Sequence, residues 1–178
     1  PVMTARGCGW GRCLFCSDVT TASTRTFRSR SLDSVLRELK IQSDRYKLNT
    51  FIFFDSKLNS DLKIWYGLIQ EFQQLIPGAT WVASVHVDAK GENGLEANTM
   101  RKAYDSGLRR ISFGLETASQ RLNKRMLKGT DLDRTSQFIK DTHSAGISIR
   151  TTVILGYPGE TAGDVQATAD FLNEHFEY

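Results

Sequence analysis

The sequence predicts a parallel α/β fold with a curved, barrel-like sheet, and three observations carry that expectation. Short runs rich in β-branched and aromatic residues recur at 50–54, 80–87, 110–115 and 148–155. Stretches with helical apolar spacing separate them. Along most of these strands one face is apolar and the other partly polar, as a sheet lining a cavity requires. Strand–helix–strand repetition demands right-handed crossovers and parallel pairing. An open doubly wound sheet is the alternative, but helices on both its faces would leave both faces apolar.

In chain order, "PVMTAR" supplies a short first strand, and Leu32, Val35, Leu36 and Leu39 form the stripe of the first helix. "TFIFF" is the second strand, where Phe51 and Phe53 interrupt the polar alternation. Trp65, Leu68, Ile69, Phe72 and Ile76 mark the second helix. In the third strand, "TWVASVHV", Ser84, His86 and Asp88 oppose Trp81, Ala83, Val85 and Val87. Met100, Ala103 and Tyr104 begin a shorter helix that Gly107 closes. Ser112, Gly114 and Glu116 then oppose Ile111, Phe113 and Leu115. Gly146 ends the next helix, and in the fifth strand Arg150 and Thr152 oppose Thr151, Val153 and Leu155. Thr161 and Asp164 signal the start of a last helix, expected to bury Val165, Ala169, Leu172 and Phe176. Five strand–helix units thus make one domain over 1–178, with no linker or internal boundary. Because "PVMTARGC" lacks an initiator Met, the chain is expected to be a piece of a longer protein with flanking domains outside it.

Composition narrows the function classes. Hydrophobic residues at 40% and charged ones at 24% are ordinary for a globular domain. A net charge of +3 is too mild to argue for nucleic acid, although it does not exclude it. No apolar run reaches the roughly 18 residues that would cross a bilayer, and no signal peptide is evident. All three cysteines fall within nine positions, in "RGCGWGRCLFCS". An odd, clustered set without an export signal points to a reducing, cytoplasmic setting and to metal or catalysis.

Active sites of parallel α/β folds collect at the carboxyl ends of the strands. There the sequence places Cys8, Asp55, Asp88, Glu116 and Gly156, so the cysteine loop belongs to a polar rim. C-x4-C-x2-C with Gly7, Gly9 and Gly11 suits two centres. One is zinc with a fourth ligand from His86, His143 or His175. The other is a [4Fe–4S] cluster whose fourth iron awaits a non-protein ligand. Plainer roles also stand: Asp55 as the cap of a helix starting near Asn59, Glu116 as a strand-end charge, Arg150 as an outward ion-pair partner, and His86 as a hydrogen-bonded core residue. The basic stretch "STRTFRSRS", with Arg25, Arg28 and Arg30, reads as a solvated loop or a contact for an anionic substrate. Trp10 either shields the centre or packs beneath the loop.

"RGCGWGRCLFCS" closely resembles the cluster loop of radical S-adenosylmethionine (radical SAM) enzymes, including the aromatic Phe15 before the last cysteine. "ISFGLETAS" resembles their fourth-strand motif, and "IRTTVILGYPGET" their fifth-strand glycine motif in the style of the cobalamin-dependent and methylthiotransferase-like branches. "FIFFDSKLN" sits where many relatives carry Gly-Gly-Glu and these branches an acidic variant. The first cysteine gap is one residue longer than the family's usual C-x3-C-x2-C, an insertion that Gly9 and Gly11 can absorb. The resemblance implies a partial (β/α)6 TIM-like barrel lacking its last strand. Cys8, Cys13 and Cys16 would hold a [4Fe–4S] cluster, and S-adenosylmethionine would chelate the open iron. Reductive cleavage would then give a 5′-deoxyadenosyl radical that abstracts hydrogen. Asp55 is expected near the methionine amino group, Glu116 near the ribose or methionine end, and Arg150 at the carboxylate. The adenine is expected against Phe15 and the turn containing Gly156 and Tyr157. Within the family the motifs point to a cobalamin-dependent methyltransferase, with cobalamin held by a domain outside this chain. The alternatives are a methylthiotransferase-like enzyme acting on RNA or protein, and, from another class, a non-catalytic zinc-stabilised binding module. The expected partners are a small-molecule or peptide substrate and an electron donor such as flavodoxin or ferredoxin. His86, Asp88, Ser112 and Thr152 are candidates to line the substrate space.

Overall fold

In the computed structural model, which describes residues 1–17 and 26–178, four parallel strands form the main sheet, in the order β3 (Thr50–Ile52), β4 (Thr80–Val85), β5 (Leu108–Glu116) and β6 (Ser148–Val153). Helices α1 (Leu32–Tyr46), α2 (Leu62–Leu75), α3 (Ala97–Asp105), α5 (Leu132–Ser144) and α6 (Ala162–Glu174) alternate with the strands. The short helix α4 (Gln120–Arg125) was not foreseen from the sequence. The expected unit order therefore holds, and the polar faces of the strands line a cavity rather than a second helical layer.

The first strand is reduced. Val2 makes a single parallel bridge to Phe53, and the chain then leaves the sheet. Residues β1 (Ala5–Arg6) pair antiparallel with β2 (Arg28–Ser29) instead. Burial explains the main layer: Phe53, Trp65, Phe72 and Trp81 interlock edge-on or tilted, with Phe53–Trp81 and Trp65–Trp81 centroids 5.6 and 5.8 Å apart. Such geometry sets the ring quadrupoles favourably as well as filling volume. Helix α2 starts where Asp61 accepts the amides of Lys63 and Ile64, so the capping role proposed for Asp55 falls to Asp61.

Helix α6 begins with a full capping box between Thr161 and Asp164, as the sequence suggested. Its buried face is not the expected one. Asp164 and Thr168 are buried, whereas Val165 and Leu172 are more than a third exposed and Phe176 is 87% exposed. Polar anchoring wins over the apolar stripe: Thr168 Oγ1 accepts the Ala118 amide at 3.0 Å and Ser119 Oγ donates to Asp164. Arg28 of the basic stretch is exposed, and Arg30 is tied to Glu38, Ser34 and the Met3 carbonyl rather than solvated. Arg25 lies outside the described residues.

Register fixes the helix-free face. Ile52, Val82, Arg110 and Ser148 form one row across the four strands. Ser84, Ser112 and Arg150 form the next, and Gly114 beside Thr152 the one above. Irregularities bracket β5: one near Arg109 turns Arg110 onto this face, and one between Gly114 and Glu116 leaves Glu116 at φ 61°. A non-glycine residue in that region is strained, and such strain is held in place where surrounding contacts over-determine it.

Candidate active site

The loop with the cysteines is anchored before and along its path. Before it, the buried Asp55 carboxylate accepts the amides of Thr4 (3.1 Å) and Ala5 (2.8 Å) and the Thr4 hydroxyl (2.8 Å). Within it, Gly9 N–H donates to Ser60 Oγ at 3.0 Å and Leu14 N–H to the Met126 carbonyl at 3.0 Å. Trp10 Nε1–H donates to the Leu127 carbonyl at 2.8 Å. Its ring stacks on His86 at 5.7 Å and 17°, with the Arg12 guanidinium 5.3 Å from the ring. A Cβ at Gly129, whose φ is 69°, would collide with the Trp10 ring. Residues 126–129, the turn after α4, thus form the cradle for the cysteine loop. Trp10 packs on this cradle and also lines the cavity.

Cys8, Cys13 and Cys16 open into one cavity of about 240 Å³ at the carboxyl end of the sheet. Phe15, Glu116, Lys57, His86, Lys128 and Thr152 share its wall. None of the cysteines is in a disulfide. Burial pushes the Cys13 thiol up to about 11; the Lys128 ammonium opposes that rise, and Cys8, Cys16 and Glu116 add to it. Among the described residues no three His, Cys, Asp or Glu side chains converge so as to hold a single metal ion. Three thiols facing one cavity are a donor set that a four-iron cluster would take, each thiolate on its own iron.

Two cations organise the cavity, and sequence reasoning named neither. Lys128 Nζ donates to Glu116 Oε1 at 3.2 Å and stands 5.7 Å from the Phe15 centroid. Thr152 Oγ1 reaches the other Glu116 oxygen at 3.4 Å. Lys57 Nζ pairs with Asp88 Oδ2 at 2.7 Å, and Asp88 Oδ1 lies 3.0 Å from His86 Nδ1. His86 Nε2 lies 2.8 Å from the Lys128 carbonyl oxygen. Burial pushes the imidazole below its ordinary value against the pull of the Asp88 hydrogen bond. Burial alone would raise Asp88, but hydrogen bonds from His86 and Lys57 hold it below the usual carboxylate range. Lys57 lies inside the quoted "DSKLN", so its signal was present; Lys128 sits in a turn with no periodicity to flag it.

The structure brings together the three cysteines, Phe15 and Glu116, together with His86, Ser112 and Thr152. It does not bring Asp55 to that wall: its oxygens are taken up by the chain just before the loop. Arg150 is exposed on the helix-free face, one row below Thr152. Gly156 and Tyr157 lie in the turn after β6, away from the cavity lining. Gly156 has φ 79° with nothing within 4 Å of a would-be Cβ, and its amide donates to Glu160 at 2.6 Å.

The fold is thus a parallel α/β core that carries a three-cysteine loop over the carboxyl end of its sheet. The Radical SAM superfamily model matches residues 2–172, so the chain belongs to the radical SAM superfamily. It is 29% identical to an uncharacterized methyltransferase of Pyrococcus horikoshii, over 97% of this chain and 36% of that protein. It is also 29% identical to a putative methylthiotransferase of Methanocaldococcus jannaschii, over 96% of this chain and 38% of that one. The radical SAM methyltransferase TsrM from Kitasatospora setae, solved with cobalamin and a [4Fe–4S] cluster, superposes with a TM-score of 0.78. That match is 21% identical and covers 98% of this chain and 32% of TsrM. The chain therefore spans a little over a third of the length of these two curated relatives, and its fold is the partial barrel of the superfamily. Among the described residues no helix is long and apolar enough to cross a membrane.

Proposed function

We propose that this chain is the core of a radical SAM methyltransferase of the cobalamin-dependent class, with cobalamin held elsewhere in the whole protein. The carrying observation is the gathering of Cys8, Cys13 and Cys16 with Phe15, Glu116 and Lys128 around one cavity at the strand ends. The [4Fe–4S] cluster held by the three cysteines would supply the electron that cleaves S-adenosylmethionine. The chain's own residues do the positioning. The cradle at 126–129 fixes the loop, Trp10 closes one side against water, and Glu116, braced by Lys128 and Thr152, presents a carboxylate to the ribose or methionine end. Phe15 and the Gly156–Tyr157 turn remain the expected adenine contacts. Asp55 acts by holding the strand before Cys8, rather than as a direct ligand. The electron would come from a small acidic donor of the flavodoxin or ferredoxin kind, in the cytoplasm. The methylthiotransferase reading is favoured by the Methanocaldococcus relative and requires a second cluster.

The test is anaerobic reconstitution of the full-length protein with iron and sulfide, followed by electron paramagnetic resonance with and without S-adenosylmethionine. A reduced four-iron signal that shifts on adding S-adenosylmethionine and is lost in Cys16→Ala is expected. Stoichiometric zinc with no acid-labile sulfide would overturn the enzyme reading. Absence of cobalamin from a protein that passes the first test would overturn the subclass.

A further inference from the structure

We propose that the helix-free face of the sheet, from the Ser84–Ser112–Arg150 row at the floor of the cysteine cavity downward, binds an oxyanion of the substrate, a phosphate or carboxylate carried on an organic body. The inference deepens the enzyme reading and rests on it. Strand register places Ser84, Ser112 and Arg150 in a line across β4, β5 and β6, with Arg110 two residues before Ser112 on the same face. From strand spacing and rise, the Arg110 and Arg150 Cα atoms lie about 8 Å apart, so both guanidinium forks reach one anionic group. Both arginines are exposed, and neither guanidinium has a hydrogen bond or ion pair to any described residue. The half-buried Ser84 and Ser112 hydroxyls line the cavity and likewise have no partner among the described residues.

Charge decides the sign of the ligand. Like charges on neighbouring strands of one face repel, and among the described residues this face has no carboxylate left to relieve them. Its two acids stand at the rim and are already paired, Asp88 with Lys57 and His86, Glu116 with Lys128. Two hydroxyl donors and two planar cations in a strip suit an oxyanion, which guanidinium groups grip in bidentate fashion. Ile52 and Phe54, 46% and 62% exposed, continue the same face and offer an apolar bed for the rest of the molecule. A substrate anchored by its anion in this strip would extend upward past Thr152 to the cysteine end.

Inorganic phosphate is the probe, titrated into full-length protein without cluster or S-adenosylmethionine and followed by 31P NMR in constant chloride. Saturable binding is expected, weakened at least tenfold in Arg110→Gln/Arg150→Gln and severalfold in Ser112→Ala. Arg37→Gln, an exposed helix arginine remote from the strip, should leave it unchanged; circular dichroism checks that each variant is folded. Binding absent from the wild type, as when acidic residues elsewhere in the polypeptide fill the strip, would overturn the proposal. So would binding that the double variant leaves intact, or that Arg37→Gln weakens equally. Because neither cluster nor S-adenosylmethionine is present, this result is independent of the paramagnetic resonance test. A protein with a responsive cluster and no phosphate site loses this inference alone.

Discussion

Replacing Asp55 by Ala separates a latch from a ligand. The Asp55 carboxylate accepts three donors, the Thr4 and Ala5 amides and the Thr4 hydroxyl, with Thr4 only 1% exposed. A buried donor left without an acceptor costs about 1–3 kcal/mol. Taking the low end for all three donors gives about 3 kcal/mol, because partial opening of the Thr4–Ala5 segment would admit water. For a domain of this size each kcal/mol lowers Tm by about 2–4 °C, so the fall should be about 6–12 °C. The assay is thermal unfolding of the cluster-free protein by circular dichroism, with amide hydrogen exchange at Thr4 and Ala5 as the local readout. Both should change before any cofactor is added. A Tm within about 2 °C of wild type and unchanged exchange at those amides, together with weakened S-adenosylmethionine binding, would refute the latch and restore Asp55 as a direct ligand.

Three further outcomes follow from the same geometry. Gly129→Ala puts a side chain at φ 69° and into the Trp10 ring; a cost of about 1 kcal/mol from backbone strain alone should accompany easier iodide quenching of Trp10, since Trp65 and Trp81 are fully buried. Lys128→Met strands the buried Glu116 carboxylate, and denaturant titration should show a loss of about 3 kcal/mol, most of it recovered in the Glu116→Gln/Lys128→Met double variant; no recovery would mean that Lys128 acts by packing. Asp164 is held below the usual carboxylate range by Arg121 first, then Ser119 and Thr161, so its stabilisation is complete above about pH 4 and is lost as pH falls through the folded value. Denaturation midpoints should therefore drop more between pH 5 and pH 3 in wild type than in Asp164→Asn; equal drops would remove Asp164 from the account.

Much of this protein was written in its local chemistry. The period-two and helical patterns determined a parallel α/β order, because each strand must bury one face under the helix that follows it. The spacing of Cys8, Cys13 and Cys16 put three thiols on one loop at the strand ends, and the structure opens all three into one cavity. Glu116 was visible because it ends a strand. What the sequence could not decide were matters of competition between distant groups. Asp55 is some fifty positions from Thr4 and Ala5 in the chain, and their closure takes Asp55 out of the cavity wall. Helix α6 carries an apolar stripe, yet Asp164 and Thr168 turn inward because Ser119 and the Ala118 amide offer partners there. Lys128 reaches the cysteines only because Gly129 lets the turn after α4 fold against Trp10. Local pattern sets which face of an element is apolar; only the packed structure decides which polar groups find each other and which, like the Arg110 and Arg150 guanidiniums, are left without a partner among the described residues.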